Sequence, residues 1–356
     1  MFITVIFANQ NNLLRRSDRR AAMCVENIFF QTKKLQMKIL LGKSQIAKKD
    51  IFAMIRQLGP ATLFCSFSSA ETQWIHLLRI LGKLVDNREY SDNELENLNW
   101  EEKCRLIQCD PVTCARHFDY QFNQFLRYFL MSSAAPLGKI ADWFYRVEYQ
   151  QRGSPHIHML IWLESAPVYG CDDDEDVTSF IDQIITCKKP DSDPELQFLV
   201  NRQIHRHCQT CRKKSKAECR FNFPQPPMKS TSILYPLDNM SDTDIRKHKD
   251  NWRNITKRLN DMKEGEDMTF DQLLVNLNIT EQKYILAIRS SLNSPTIFLK
   301  REPNELRVNN YNSACLSAWR ANRDIQFVLD VYACAMYIVL HFKGTKRNES
   351  ALTKSL

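Results

Sequence analysis

His156 and His158 stand either side of Ile157 at the start of an apolar run, PHIHMLIWL, in a chain with only eight histidines. Side chains in a strand alternate between faces. Both imidazoles therefore point the same way, followed on that face by Leu160 and Trp162. Ile157, Met159 and Ile161 take the opposite, core-facing side. Two imidazoles on one face of a rigid strand can share a metal ion. The preceding run, DWFYRVEYQ, carries Glu148. A tight turn at Gln151–Gly153 would pair the two runs antiparallel and bring Glu148 beside His156. A slip of one residue would turn the carboxylate to the wrong face. Two histidines and a carboxylate make an open site suited to Mg²⁺ or Mn²⁺, with room for substrate oxygens. Two histidines merely exposed on a sheet face are the competing reading.

A second cluster lies in HRHCQTCRKKSKAECRFNFP, with His205, His207, Cys208, Cys211 and Cys219. Cys208-x-x-Cys211 is half of a zinc site, which Cys219 and a histidine would complete, although the spacing fits no standard finger. A structural Zn²⁺ element is the preferred reading, against a basic loop whose cysteines pack. Arg212, Lys213, Lys214, Lys216 and Arg220 suit phosphate contact in either case, as does Arg152 in the turn before the histidine pair. Phe221 and Phe223 are candidates for base stacking or for core packing.

These groups need elements to hold them. Residues 20–58 are rich in helix formers, with Gly42 the single glycine before Gly59-Pro60. ATLFCSFSS reads as a buried strand and AETQWIHLLRILGKLV as a helix. Residues 85–110 read as loop and short helix. DPVTCARHFDYQFNQFLRYFLM is an amphipathic helix, capped by Asp110 with Pro111 at its first position. The acidic run Asp172–Asp176 reads as solvated loop, FPQPPM as extended chain, and 235–300 as helical and polar. A last apolar helix is expected over Val328–Phe342. The fold class is α+β, with a mainly antiparallel sheet, including strands near 61–67 and 143–163, backed by helices.

The 356 residues carry a net charge of +8, which favours a polyanionic partner such as nucleic acid. No apolar run is long enough to span a membrane, and none has a signal-peptide layout, so an intracellular location with mostly reduced cysteines is expected. Gly42-Lys43-Ser44 looks like the tail of a phosphate-binding loop, but Met37 stands where its first glycine is needed.

The stretch YRVEYQQRGSPHIHMLIWLE resembles the central motif of Helitron transposon proteins. FAMIRQLGPATLFCSFSSAETQWIHLLRILGK, CDPVTCARHFDYQFNQFL, HRHCQTCRKKSKAECRFNFPQPP and NRDIQFVLDVYACAMYIVLHFKG resemble further stretches of that family, in the same order, across roughly residues 50–345. The resemblance is to the Helitron helicase-like N-terminal domain, a Rep-type HUH endonuclease in which two histidines flank a hydrophobic residue. It implies metal-dependent nicking of single-stranded DNA and strand transfer, as in rolling-circle replication initiation. A tyrosine attacks phosphorus and forms a 5′-phosphotyrosine link. It assigns His156, His158 and Glu148 to the metal, Tyr337 and Lys343 to catalysis, and His205, His207, Cys211 and Cys219 to zinc, with Cys208 an extra. It implies a helical N-terminal remnant at 1–50, a nuclease core at 51–165 and 300–345, and an insert at 166–299. It also implies single-stranded DNA as partner, no membrane, and a nuclear location.

One departure matters. The family usually carries a second tyrosine four residues after the first, and here that position holds His341. A catalytically inactive, transposon-derived single-stranded DNA-binding remnant is therefore the alternative. A metal-dependent hydrolase of another kind would need further acidic ligands, and the sequence singles out none. Without a Walker A sequence, unwinding is expected from a helicase on another chain.

Overall fold

The computed structural model describes residues 48–149, 154–208, 211, 219–238, 240–262, 266 and 268–340. Gly42-Lys43-Ser44, the 151–153 turn with Arg152, the basic residues Arg212, Lys213, Lys214 and Lys216, and His341 and Lys343 lie outside them. The chain divides into two compact units, one of residues 1–57 with 335–356, the other of residues 58–334.

In the first unit, residues 48–57 belong to a helix (α1, 48–58) that buries Ile51 and Ile55, one turn apart. Residues 335–340 are the later part of a helix that buries Ala335, Ile338 and Val339, while Tyr337 is 43 % exposed.

The second unit is α+β. Its four-stranded sheet has the order β2 (Ile140–Tyr149), β3 (Pro155–Leu163), β1 (Leu63–Ser68), β6 (Arg323–Phe327), every pair antiparallel. β3 sits between two neighbours and is apolar on both faces after His158, as an inner strand requires. Pro155 opens it, where a missing N–H costs least. Ile157, Met159 and Ile161 join Cys65, Phe67, Ile325 and Phe327 in one core. That core is covered by α2 (Ile75–Val85), α5 (Pro111–Phe125) and α11 (Ser313–Trp319), through Leu77, Leu78, Leu81, Phe118, Phe122 and Trp319.

Local signals explain most helix starts. Asp110 accepts from Thr113 N at 3.0 Å, and Pro111 is the first residue of α5. Residues 85–110 hold more helix than expected: α3 (Asp92–Asn97) and α4 (Trp100–Cys109), both closed by capping boxes. The acidic run is not all loop. Asp174, Glu175 and Asp176 form the first turn of α6 (Asp174–Ile184), where carboxylates offset the positive end of the helix dipole. The helix expected from residue 70 starts at Ile75, after a turn in which Gln73 N donates to Ala70 O. The last helix, α12, covers Val331–Leu340 and starts later than the expected Val328, because Asp330 caps it. Asp330 Oδ1 accepts from Ala333 N at that start.

Beyond α7 (Pro194–Gln203), the hairpin β4 (Ser232–Leu234) with β5 (Thr296–Phe298) joins α8 (Asp242–Asp261), α9 (Phe270–Leu277) and α10 (Glu281–Arg289) around a core of their own. Tyr284 is fully buried there and donates to Pro227 O at 3.1 Å. Among the described residues, no helix is long and apolar enough to cross a membrane.

Candidate functional site

The β2–β3 register pairs Glu148 with His156 and Arg146 with His158. All four side chains share the sheet face opposite the core, by the two-residue alternation of strands. The imidazole centroids are 4.6 Å apart. His158 is buried and its Nε2 lies 3.1 Å from Glu148 Oε2. Two ligand atoms about 2.1 Å from one ion and at right angles to each other lie about 3 Å apart, so this pair has the bite of an octahedral site. His156 Nδ1 lies 3.0 Å from Ser68 Oγ, on the neighbouring strand β1. With the proton on Nδ1 and Ser68 accepting it, Nε2 is the nitrogen left for a metal.

Ser68 is itself held. Trp319 Nε1 donates to Ser68 O at 3.0 Å, and the indole packs edge-on against Phe67, Phe118 and Phe122. The pairings Arg146–His158, His158–Ser66 and Ser66–Asp324 extend one row of polar side chains across all four strands. Burial pushes the Asp324 carboxyl above the usual carboxylate range, and Gln326 donates to it at 2.6 Å. Desolvation lowers the Arg146 guanidinium from its ordinary value. Sequence reading found neither Ser68 nor Asp324. Both are polar residues in short strands, and only the register reveals their neighbours.

The Cys/His stretch closes on itself. One ligand atom each from His205, His207, Cys211 and Cys219 lies within 4.8 Å of all the others. Cys219 Sγ is 3.3 Å from His205 Nε2, and Cys211 Sγ is 3.6 Å from His207 Nδ1. Tetrahedral ligands at zinc bond lengths are about 3.3–3.7 Å apart, so the donor set and its spacing fit Zn²⁺. Cys208 is exposed and outside the group. Its backbone N–H donates to Cys211 Sγ at 3.2 Å, a bond that favours thiolate. Burial, then the neighbouring His207, lowers the His205 pKa and keeps that ring neutral, as a ligand must be.

Arg220 is exposed, with its guanidinium 4.4 Å from the centroid of the Phe221 ring. Phe223 stacks on His205 at 4.5 Å and 10°, so it supports the cluster.

Residues 31–161 match the family model described as "Helitron helicase-like domain at N-terminus". Over that stretch the chain is similar to the Helitron helicase-like domain. The match takes in Glu148, His156 and His158, and ends before the His/Cys group and Tyr337. No curated protein matches the chain. The matched stretch covers β1, β2 and most of β3, the strands that carry Ser68 and the histidine pair.

Proposed function

We propose that this chain is a Helitron-type initiator that nicks single-stranded DNA and transfers the cut strand. The observation that carries the reading is the shared sheet face of Glu148, His156 and His158, inside the stretch that matches the family. Two imidazole nitrogens and a carboxylate oxygen suit Mn²⁺ or Mg²⁺, and such an ion, when bound, withdraws charge from a phosphate oxygen. Ser68 fixes the His156 ring, and Glu148 would join the two imidazoles in holding the ion. Tyr337 supplies the nucleophile: its phenol oxygen bonds to phosphorus as the bond to the 3′ oxygen breaks. The phenol gives up its proton, and the leaving oxygen takes one to become a 3′-OH. Lys343 supplies positive charge to the phosphate. The His/Cys group acts as a structural zinc element, and a helicase on another chain supplies unwinding.

His341, in the place of a second tyrosine, favours a second reading: a remnant that binds single-stranded DNA without cutting it. A labelled pool of mixed-sequence oligonucleotides, incubated with Mn²⁺ or EDTA, separates the two. Metal-dependent nicking that is lost in His156→Ala supports the nuclease. Binding without nicking in any metal supports the remnant.

A further inference from the structure

We propose that a cleft at the end of α7, backed by the His/Cys group, is a docking track for single-stranded DNA. This rests on the DNA reading above. Phe198, Asn201, Arg202, Ile204 and Arg206 line a cleft of about 390 Å³, the size range of small-ligand sites. Two of the five are arginines and none is acidic. Glu195, one turn earlier on α7, is paired with Arg320.

Phe198 is 56 % exposed, an apolar ring left in water on an otherwise ordinary surface helix. Arg202, four residues on and on the same helix face, sets its guanidinium 5.5 Å from that ring. Nη1 of Arg202 donates to Gln73 Oε1 at 2.9 Å, which holds the fork in place. An exposed ring beside a fixed guanidinium is what a nucleobase and its phosphate need. Asn201 adds a donor and an acceptor for a base edge.

The segment after α7 explains the cleft wall. Residues 204–207 run without helix, and their side chains alternate: Ile204 and Arg206 face the cleft, while His205 and His207 face the Cys pair. The metal group and the cleft are thus two sides of one segment. On the cluster side, His205 meets Phe221, 48 % exposed, with Arg220 over its ring. The same ring-and-guanidinium pairing recurs there, so two stacking platforms flank the segment that the cluster braces.

The test is fluorescence anisotropy of a labelled oligo-dT on the full chain in zinc-replete buffer, over a salt series. Phe198→Ala is expected to weaken binding by about tenfold, as loss of one stacked base does. The double variant Arg202→Gln with Arg206→Gln is expected to lower the slope of log affinity against log salt by about 1.4, or 0.7 per lost phosphate contact. Melting curves check that these exposed substitutions leave the fold intact. Variants with wild-type affinity and slope overturn the cleft while leaving the DNA reading in place. A wild-type chain that binds no single-stranded DNA overturns both. Equal displacement of the oligonucleotide by polyglutamate marks a general anion surface and overturns the base-stacking role. Tighter binding of the matching RNA overturns DNA as the occupant.

Discussion

Glu148 lies opposite His156 across the β2–β3 ladder, yet its carboxylate reaches Nε2 of His158, 3.1 Å away. The contact is diagonal, within reach of a long side chain on a twisted antiparallel pair. It leaves the directly opposed His156 to Ser68 on the other neighbouring strand. Each imidazole thus has its own side-chain neighbour, supplied by a different strand.

This arrangement predicts how metal affinity divides. Glu148→Gln removes a ligand and should weaken Mn²⁺ binding by more than tenfold. Ser68→Ala removes only an orienting bond, and should cost about tenfold, at the low end of such outer contacts. Titration calorimetry with Mn²⁺ on both variants checks this. Equal losses would assign Ser68 and Glu148 the same role and contradict the division.

The His/Cys group should bind one zinc ion per chain. Cys211→Ser or Cys219→Ser should abolish that stoichiometry in a metal-release assay, while Cys208→Ser should retain it. With free zinc a hundredfold above its dissociation constant, binding contributes about 3 kcal/mol of stability, so chelation should lower the melting temperature. Zinc content unchanged in Cys219→Ser would contradict the ligand set.

His117 on α5 predicts an acid sensitivity. Its ring packs on Trp74 at 5.6 Å, its Nδ1 is buried without a partner, and burial lowers its pKa from the usual 6.5. The unfolded chain therefore takes up the proton more readily than the folded one. The stabilising contribution is full above about pH 6.5 and is lost as pH falls through the lowered folded value. Between pH 7 and pH 5, wild type should lose more stability than His117→Gln in urea titrations. Parallel curves would contradict the assignment.

Trp319 links the core to the site. Trp319→Ala should cost about 3–5 kcal/mol through the cavity it leaves. Trp319→Phe keeps most of the packing but leaves Ser68 O without its donor, for about 1–3 kcal/mol. The milder variant should also weaken Mn²⁺ binding, because Ser68 holds His156. Urea unfolding and the Mn²⁺ titration read the two effects separately. A Trp319→Phe chain with wild-type stability and affinity would remove Trp319 from the account.

The sequence made the hairpin readable because alternation and a polar turn are local. The helix at Pro111 was readable for the same reason, since its cap and first residue are adjacent. What sequence reading missed is long-range. Ser68 lies 88 residues from His156, and Trp319 lies 251 from Ser68. β6 was missed because RDIQF is five residues long with charges at its start, so it carries too little apolar alternation to read as a strand. Asp324 was lost with it. The acidic run misled because a helix start and a solvated loop have the same composition.

A covalent link between Tyr337 and DNA would survive SDS as a protein–DNA adduct. Mn²⁺ with a single-stranded oligonucleotide pool should yield such an adduct, which should disappear with EDTA, with His156→Ala and with Tyr337→Phe. Nicking that persists in Tyr337→Phe but not in His156→Ala would contradict it, and would point instead to water activated at the histidine pair.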